Sequence, residues 1–326
     1  MPKNNAMAAP FFSVVIPVFN RAEPLRQAIE SVRAQTFQDF EIVVVDDGST
    51  DNPRAVVESF ADDRIHYWRQ PNAGGGAARN RGIDEARGQL VAFLDSDDVF
   101  LPHHLASMHA LLAGTRNFIG YARVRVDRGN GRLFLKPPRG CTPREDMATY
   151  LLCDRGFTPM ITLVVPRDIA CKVRFHEKLR AAEDTDFAIR LALAGYRFRM
   201  LEEPGAIWND KFDPKRQSSA KGAEDLHLWL EILKPVIASK AYHGGRGWAY
   251  AKQIAPEKPL AALGLYLNAV LRGCYRPSMA LIVFLQIFLG RGAYRRLANI
   301  AIVWFRAGQR EPKKKKTPPL PKLKRA

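Results

Sequence analysis

Asp95-Ser96-Asp97-Asp98 closes an apolar run, Gln89–Leu94 (QLVAFL). Two carboxylates one residue apart at a strand end suit a hard divalent cation. Mg²⁺ and Mn²⁺ take oxygen ligands, often one or two carboxylates, and share the rest of their shell with substrate phosphates. The same residues would also serve as a solvated turn and helix cap before Pro102. A second acidic cluster, Asp46-Asp47-Gly48-Ser49-Thr50-Asp51, follows Glu41–Val45 (EIVVV). Two acids at a buried strand end are costly without partners. A base N–H, a ribose hydroxyl or an arginine would satisfy them; an ordinary strand-to-helix turn is the plainer account. Gly74-Gly75-Gly76 precedes Arg79-Asn80-Arg81, which could bring backbone and guanidinium to a diphosphate. There is no Gly-Lys-Ser/Thr, and Arg79 stands where the third glycine of GxGxxG belongs, so neither nucleotide fingerprint is met. Glu183-Asp184 opens the segment Ala181–Ala194. First-turn acids favour the helix dipole, and a carboxylate there could also take a proton from a hydroxyl.

The elements that position these groups alternate. Phe11–Val18 (FFSVVIPV), Glu41–Val45, Arg64–Arg69 and Gln89–Leu94 read as strands. Helices follow: one to Gln35 with Asn20 as its cap, one behind Asp51 or Asn52 with Pro53 in its first turn, one from Gly74 to Ala86, and one from Pro102. The strands are apolar runs rather than alternating patterns. That predicts a mostly parallel sheet covered on both faces. Such sheets bind ligands at the carboxyl ends of their strands. Those ends carry Pro17 and Asn20, Asp46 and Asp47, and Asp95, Asp97 and Asp98. Beyond about residue 115 the pattern changes. Tyr121–Val126 and Arg132–Leu135 predict a hairpin around Asp127–Gly131. Ile161–Val165 and Tyr196–Leu201 are further strands, and Ala181–Ala194 a helix. Lys211–Gly222 is a polar loop, and the chain from Ala223 is helical.

In order, Ser13–Asn20 (SVVIPVFN), Val43–Asp51 (VVVDDGSTD), Asn72–Gly82 (NAGGGAARNRG), Leu94–Asp98 (LDSDD) and Glu183–Arg190 (EDTDFAIR) resemble the inverting family 2 glycosyltransferases of the GT-A fold. The resemblance covers about residues 11–220. It implies an α/β fold with a mostly parallel sheet flanked by helices, and transfer of one sugar from a nucleotide-diphosphate donor, UDP-linked, to a hydroxyl. By that likeness Pro17, Phe19, Asn20, Asp46, Asp47, Arg79 and Asp95 bind the donor. Asp97, with Asp95, holds Mn²⁺ or Mg²⁺. Asp184 is the general base, with Glu183 beside it. A histidine frequent in the family has no counterpart in Ile207–Ala220, where Trp208, Asn209 and Asp210 stand. The Gln-x-x-Arg-Trp signature of processive synthases is absent too, which favours a single addition. A catalytically degenerate domain acting as a membrane-tethered binding protein is the alternative reading.

Charge divides the chain. The formal net charge is +17. Residues 244–326 hold 17 Lys and Arg against only Glu257 and Glu311, so +15 of it lies there. A polyanion would bind at that end. Met279–Leu289 and Leu297–Trp304 are apolar and bordered by arginines; Lys313–Lys316 and Lys322–Arg325 follow. Such segments resemble interfacial anchors. A packed helical subdomain and a nucleic-acid site also account for the charge. Apolar content interleaved with arginine favours an anionic membrane over nucleic acid, and a lipid-linked saccharide acceptor would suit it. The apolar runs are too short to span a bilayer, which needs about 20 residues.

Cys141, Cys153, Cys171 and Cys274 lack metal or disulfide spacing, and Met1–Pro10 lacks the apolar core of a leader. The expected location is cytoplasmic, peripheral on the inner face of the cell membrane. The expected organisation is a disordered 1–10, a nucleotide-sugar half at 11–115, an acceptor half at 116–222, helices at 223–310 and a basic tail at 311–326.

Overall fold

Nine strands among the described residues form one sheet in a computed structural model. It describes residues 9–115, 117–129, 131, 133–154, 156–179, 182–211, 222–290 and 292–294. The first half is laid down as expected. Strand β1 (Phe12–Val18), helix α1 (Ala22–Arg33), β2 (Phe40–Asp46), α2 (Pro53–Glu58), β3 (Ile65–Arg69), α3 (Gly75–Glu85) and β4 (Leu90–Phe93) alternate. β3, β2, β1 and β4 lie side by side and parallel. Every residue of β2 is buried, as an apolar strand between two helix layers must be.

Next come β5 (Val99–Phe100), α4 (His104–Leu112), β6 (Phe118–Asp127), β7 (Leu133–Lys136), α5 (Met147–Cys153), β8 (Val164–Pro166), α6 (Arg167–Val173), α7 (Glu183–Leu193) and β9 (Arg197–Asn209). The sheet order is β3-β2-β1-β4-β8-β6-β9-β5, with β7 paired to β6. β8 runs antiparallel to β4, and β6 runs parallel to β9. The β6–β7 hairpin is present. Two large cores cover the two faces of the sheet.

Four local expectations are corrected. The strand expected at Ile161–Val165 begins as a 3₁₀ turn, Met160–Thr162. There the Thr162 hydroxyl bonds both the N–H and the C=O of Ala122, taking the place of a backbone ladder. The strand expected at Tyr196–Leu201 continues to Asn209, with a register shift where Arg123 faces Pro204. α4 opens at His104 rather than Pro102. Asn20 does not cap α1. It sits at φ 53°, and its side-chain oxygen accepts from the N–H and hydroxyl of Thr50 at 2.7 and 3.0 Å. The free N–H of Ala22 is taken instead by Asp51 at 2.8 Å.

The C-terminal part holds α8 (Ala223–Leu233), α9 (Ser239–Gly245), α10 (Ala251–Ile254), α11 (Pro259–Leu271) and α12 (Pro277–Phe288). These helices pack. Trp229 and Leu230 of α8 join the main core. Met279, Val283 and Ile287 of α12 are buried against Cys153, Cys274 and α11. Three residues of the Met279–Leu289 run are therefore spent on packing. Among the described residues no helix is long and apolar enough to cross a membrane. Most of Lys211–Gly222, the segment Leu297–Trp304, the terminal lysine clusters and most of residues 1–10 lie outside the described residues.

Candidate active site

The carboxyl ends of β1, β2 and β4 open into a cleft of about 590 Å³. Pro17, Phe19 and Asp47 line one side, and Asp95, Ser96 and Asp97 line the turn after β4. Glu183, Asp184 and Thr185 at the start of α7 close it. Ala182, just before them, adopts the left-handed conformation at φ 61°, which turns the chain sharply into the helix. Eight of the expected site residues therefore meet: Pro17, Phe19, Asp47, Arg79, Asp95, Asp97, Glu183 and Asp184.

Asn20 and Asp46 are not on the cleft wall. Asp46 is buried and accepts from the Ser49 N–H at 2.8 Å and the Tyr67 hydroxyl at 2.6 Å. The donors that a buried acid pair requires are thus the protein's own. Asp47 follows the same rule. One oxygen accepts from Gln70 Nε2 and the Ala73 N–H, and the other from the Gly74 N–H. Its carboxylate ties the end of β2 to the glycine turn that opens α3. Asp98 is buried too; it accepts the Asn209 N–H at 2.6 Å and pins the acidic turn to β9. Asp95 and Asp97 line the cleft.

Arg79 organises the acids. Its side chain is 9% exposed. Nη2 donates to Asp95 Oδ1 at 2.7 Å and Nη1 to Glu183 Oε2 at 3.3 Å. Burial alone would weaken its hold on the proton. The carboxylates of Asp95, Asp184 and Glu183 outweigh that and raise its pKa. The Glu183 carboxylate lies against the glycine turn, 3.4 Å from where a Cβ on Gly75 would stand. The Asp184 carboxyl is shifted upward, chiefly by burial. Arg79 pulls it back down, and Asp95 adds to the rise. Asp186, two residues along the helix, is structural. It accepts from Trp229 Nε1 at 2.8 Å and from Arg190 Nε at 2.7 Å, clamping α7 to α8.

Glycosyl transferase family 2 matches residues 13–162. Amylovoran biosynthesis glycosyltransferase AmsB of Erwinia amylovora is 30% identical over 240 residues, 70% of this chain and 79% of that one. The chain belongs to glycosyl transferase family 2. Succinoglycan biosynthesis protein ExoW of Rhizobium meliloti is 32% identical over 219 residues, 60% of this chain and 67% of that one. Two solved structures share the fold. S. aureus TarS 1-349 with UDP-GlcNAc has TM-score 0.61 and 20% identity, covering 93% of each chain. Mannosyltransferase PcManGT from Pyrobaculum calidifontis, with GDP-Man and Mn²⁺, has TM-score 0.56 and 18% identity, covering 92% of this chain and 88% of that one. The fold is the GT-A α/β fold.

In this glycosyltransferase no group of three or more His, Cys, Asp or Glu gathers as a metal cage among the described residues. Asp95 and Asp97 offer oxygen donors on one wall. That set fits an ion shared with a diphosphate rather than one enclosed by protein. The segment that replaces the family's histidine is otherwise engaged: Trp208 stacks on Phe157, and Asp210 pairs with Arg128 at 3.3 Å. Arg21, Ser96, Phe157, Thr185 and Gln253 also line the cleft and were not foreseen. Ser96 and Thr185 lie inside or beside recognised motifs. Phe157 and Gln253 carry no local signal.

Proposed function

We propose that this glycosyltransferase moves one sugar from a nucleotide-diphosphate donor, UDP-linked, to a hydroxyl acceptor with inversion at the anomeric carbon. The meeting of Asp184 with the Asp95/Asp97 pair in one cleft carries this reading. Pro17, Phe19 and Asp47 form the nucleotide side. Asp97, with Asp95, would hold Mn²⁺ or Mg²⁺, and Arg79 fixes Asp95 in place. A bound ion there would supply positive charge to the leaving diphosphate. Asp184 takes the proton from the acceptor hydroxyl. Burial raises its pKa, which makes its carboxylate a stronger base than that of an ordinary aspartate. Glu183, held by Arg79, keeps the start of α7 in position.

The acceptor is a saccharide, lipid-linked, in cell-surface or exopolysaccharide synthesis. The names of the amylovoran and succinoglycan relatives support that setting. Attachment is peripheral, to the anionic inner face of the cell membrane. Leu260, Leu271 and Leu281 of α11 and α12 are exposed, and +15 of net charge lies in residues 244–326. Nucleic acid is not proposed as a partner.

A panel of UDP-, GDP- and dTDP-sugars, scored for Mn²⁺-dependent hydrolysis and thermal stabilisation, tests the donor. UDP-sugars should stabilise the protein and be hydrolysed slowly. Asp97→Ala should abolish the metal-dependent part of UDP binding while leaving the fold. Metal-independent UDP binding in the parent protein would remove the metal assignment.

A further inference from the structure

The cleft has a second wall that none of the acidic motifs builds. In the sheet, β1 lies on one side of β4 and β8 on the other. Pro17 and Phe19 flank the acidic turn from the β1 side. Phe157 flanks it from the other, just ahead of the 3₁₀ turn that leads into β8. Its place is fixed. The Gly156 N–H donates to the Tyr150 carbonyl at 2.9 Å, and a Cβ on Gly156 would lie 2.3 Å from that oxygen. The Phe157 ring stacks on Trp208 of β9, with centroids 5.5 Å apart and planes at 29°. Lys136 Nζ stands 5.2 Å from the Trp208 ring and 5.9 Å from the Phe157 ring. Phe157 thus meets the cleft as a half-buried ring backed by a second aromatic.

Gln253 reaches the same cleft from α10. It lies outside the stretch that matches the family. A π turn, Arg246–Tyr250, joins α9 to α10. Such turns are rare, often mark functional sites, and rotate whatever follows them about the helix axis. The Gln253 side chain is exposed and makes no hydrogen bond among the described residues. A neutral amide that both donates and accepts matches a pair of hydroxyls. An aromatic face matches the C–H face of a pyranose.

We infer that Phe157 and Gln253 form the acceptor-sugar subsite, with Phe157 stacking on a neutral sugar ring and Gln253 binding its hydroxyls. This rests on the transferase reading above. The C-terminal helices then complete the catalytic cleft as well as packing behind it, and Gln253 is a specificity-determining residue.

The test uses full-length protein with Mn²⁺ and UDP, and methyl β-glucoside, methyl β-galactoside and methyl α-mannoside as probes. Saturation-transfer NMR reports ring-proton contact, and titration gives each Kd. At least one glycoside should receive saturation in the parent protein. Phe157→Leu and Gln253→Ala should each weaken it about fivefold to tenfold. Phe157→Tyr should retain it. All three should keep the parent's thermal shift with UDP. Unchanged glycoside binding in both Phe157→Leu and Gln253→Ala overturns the subsite, as does absence of saturation in the parent despite a UDP shift. Absence of the UDP shift itself overturns the donor reading instead, and this inference with it. Because Gln253 is exposed, its variant carries the test even if Phe157→Leu fails to fold.

Discussion

Arg79 Nη2 lies 2.7 Å from Asp95 Oδ1. One buried guanidinium therefore links the acidic turn after β4 to the acids that open α7, since its other arm reaches Glu183. The pair is more than a brace, because Arg79 also holds down the pKa of Asp184.

Arg79→Met should move the acid limb of the pH–rate profile to higher pH. The counter-charge is lost, while burial and Asp95 continue to push the Asp184 carboxyl upward. Arg79→Lys should fall between the two, since it keeps the charge and loses the fork. Profiles of kcat against pH for the three proteins check this. An acid limb that does not move would show that Arg79 is not electrostatically coupled to the base.

Asp184→Asn keeps the shape of the side chain and removes its basicity. Turnover should fall by about 10²–10⁴ with UDP affinity nearly unchanged. In the parent protein the sign follows from the raised pKa. The base works only when deprotonated, so activity is lost as pH falls through a value above the usual aspartate figure of about 3.9. Stopped assays across roughly pH 3–8 measure both effects. Full turnover by Asp184→Asn with saturating acceptor would transfer the role to Glu183 or another acid.

Gly82→Ala should destabilise the fold. A Cβ at Gly82 would sit 2.2 Å from Val15 Cγ1, so α3 must lift off β1. Overpacking of this kind costs about 1–3 kcal/mol. Urea unfolding should show a lower midpoint at unchanged slope. An unchanged midpoint would mean that Val15 relaxes freely.

Ending the chain at Gly290 should weaken binding to anionic liposomes and leave UDP binding intact. This cut spares Met279, Val283 and Ile287, which are buried in the C-terminal core. It removes the lysine clusters Lys313–Lys316 and Lys322–Arg325. The attraction lost should be the salt-sensitive part, screened over about 8 Å at physiological ionic strength. Flotation at low and high salt separates the components. A full-length protein that stays unbound at low salt would end the membrane reading.

Sequence by itself determined the frame of the site. Apolar runs such as Glu41–Val45 read as strands buried on both faces, and the parallel sheet they predict brings their carboxyl ends to one edge. Their terminal acids, and the acids opening α7, were legible because polar groups at such ends stand out against the runs. Which acid does what was not legible. Asp46, Asp47 and Asp98 look like Asp95 and Asp97 in one dimension. Only the fold supplies Tyr67 and the Asn209 N–H, which tie Asp46 and Asp98 into the protein, and the Gly74 N–H, which fixes Asp47 at the cleft wall. The same limit applies to Asn20, a plausible cap until Asp51, 31 positions on, takes the helix N–H. Phe157 and Gln253 reach the cleft through contacts between segments far apart in the chain. Such contacts depend on the packing of whole elements, and no local spacing encodes them.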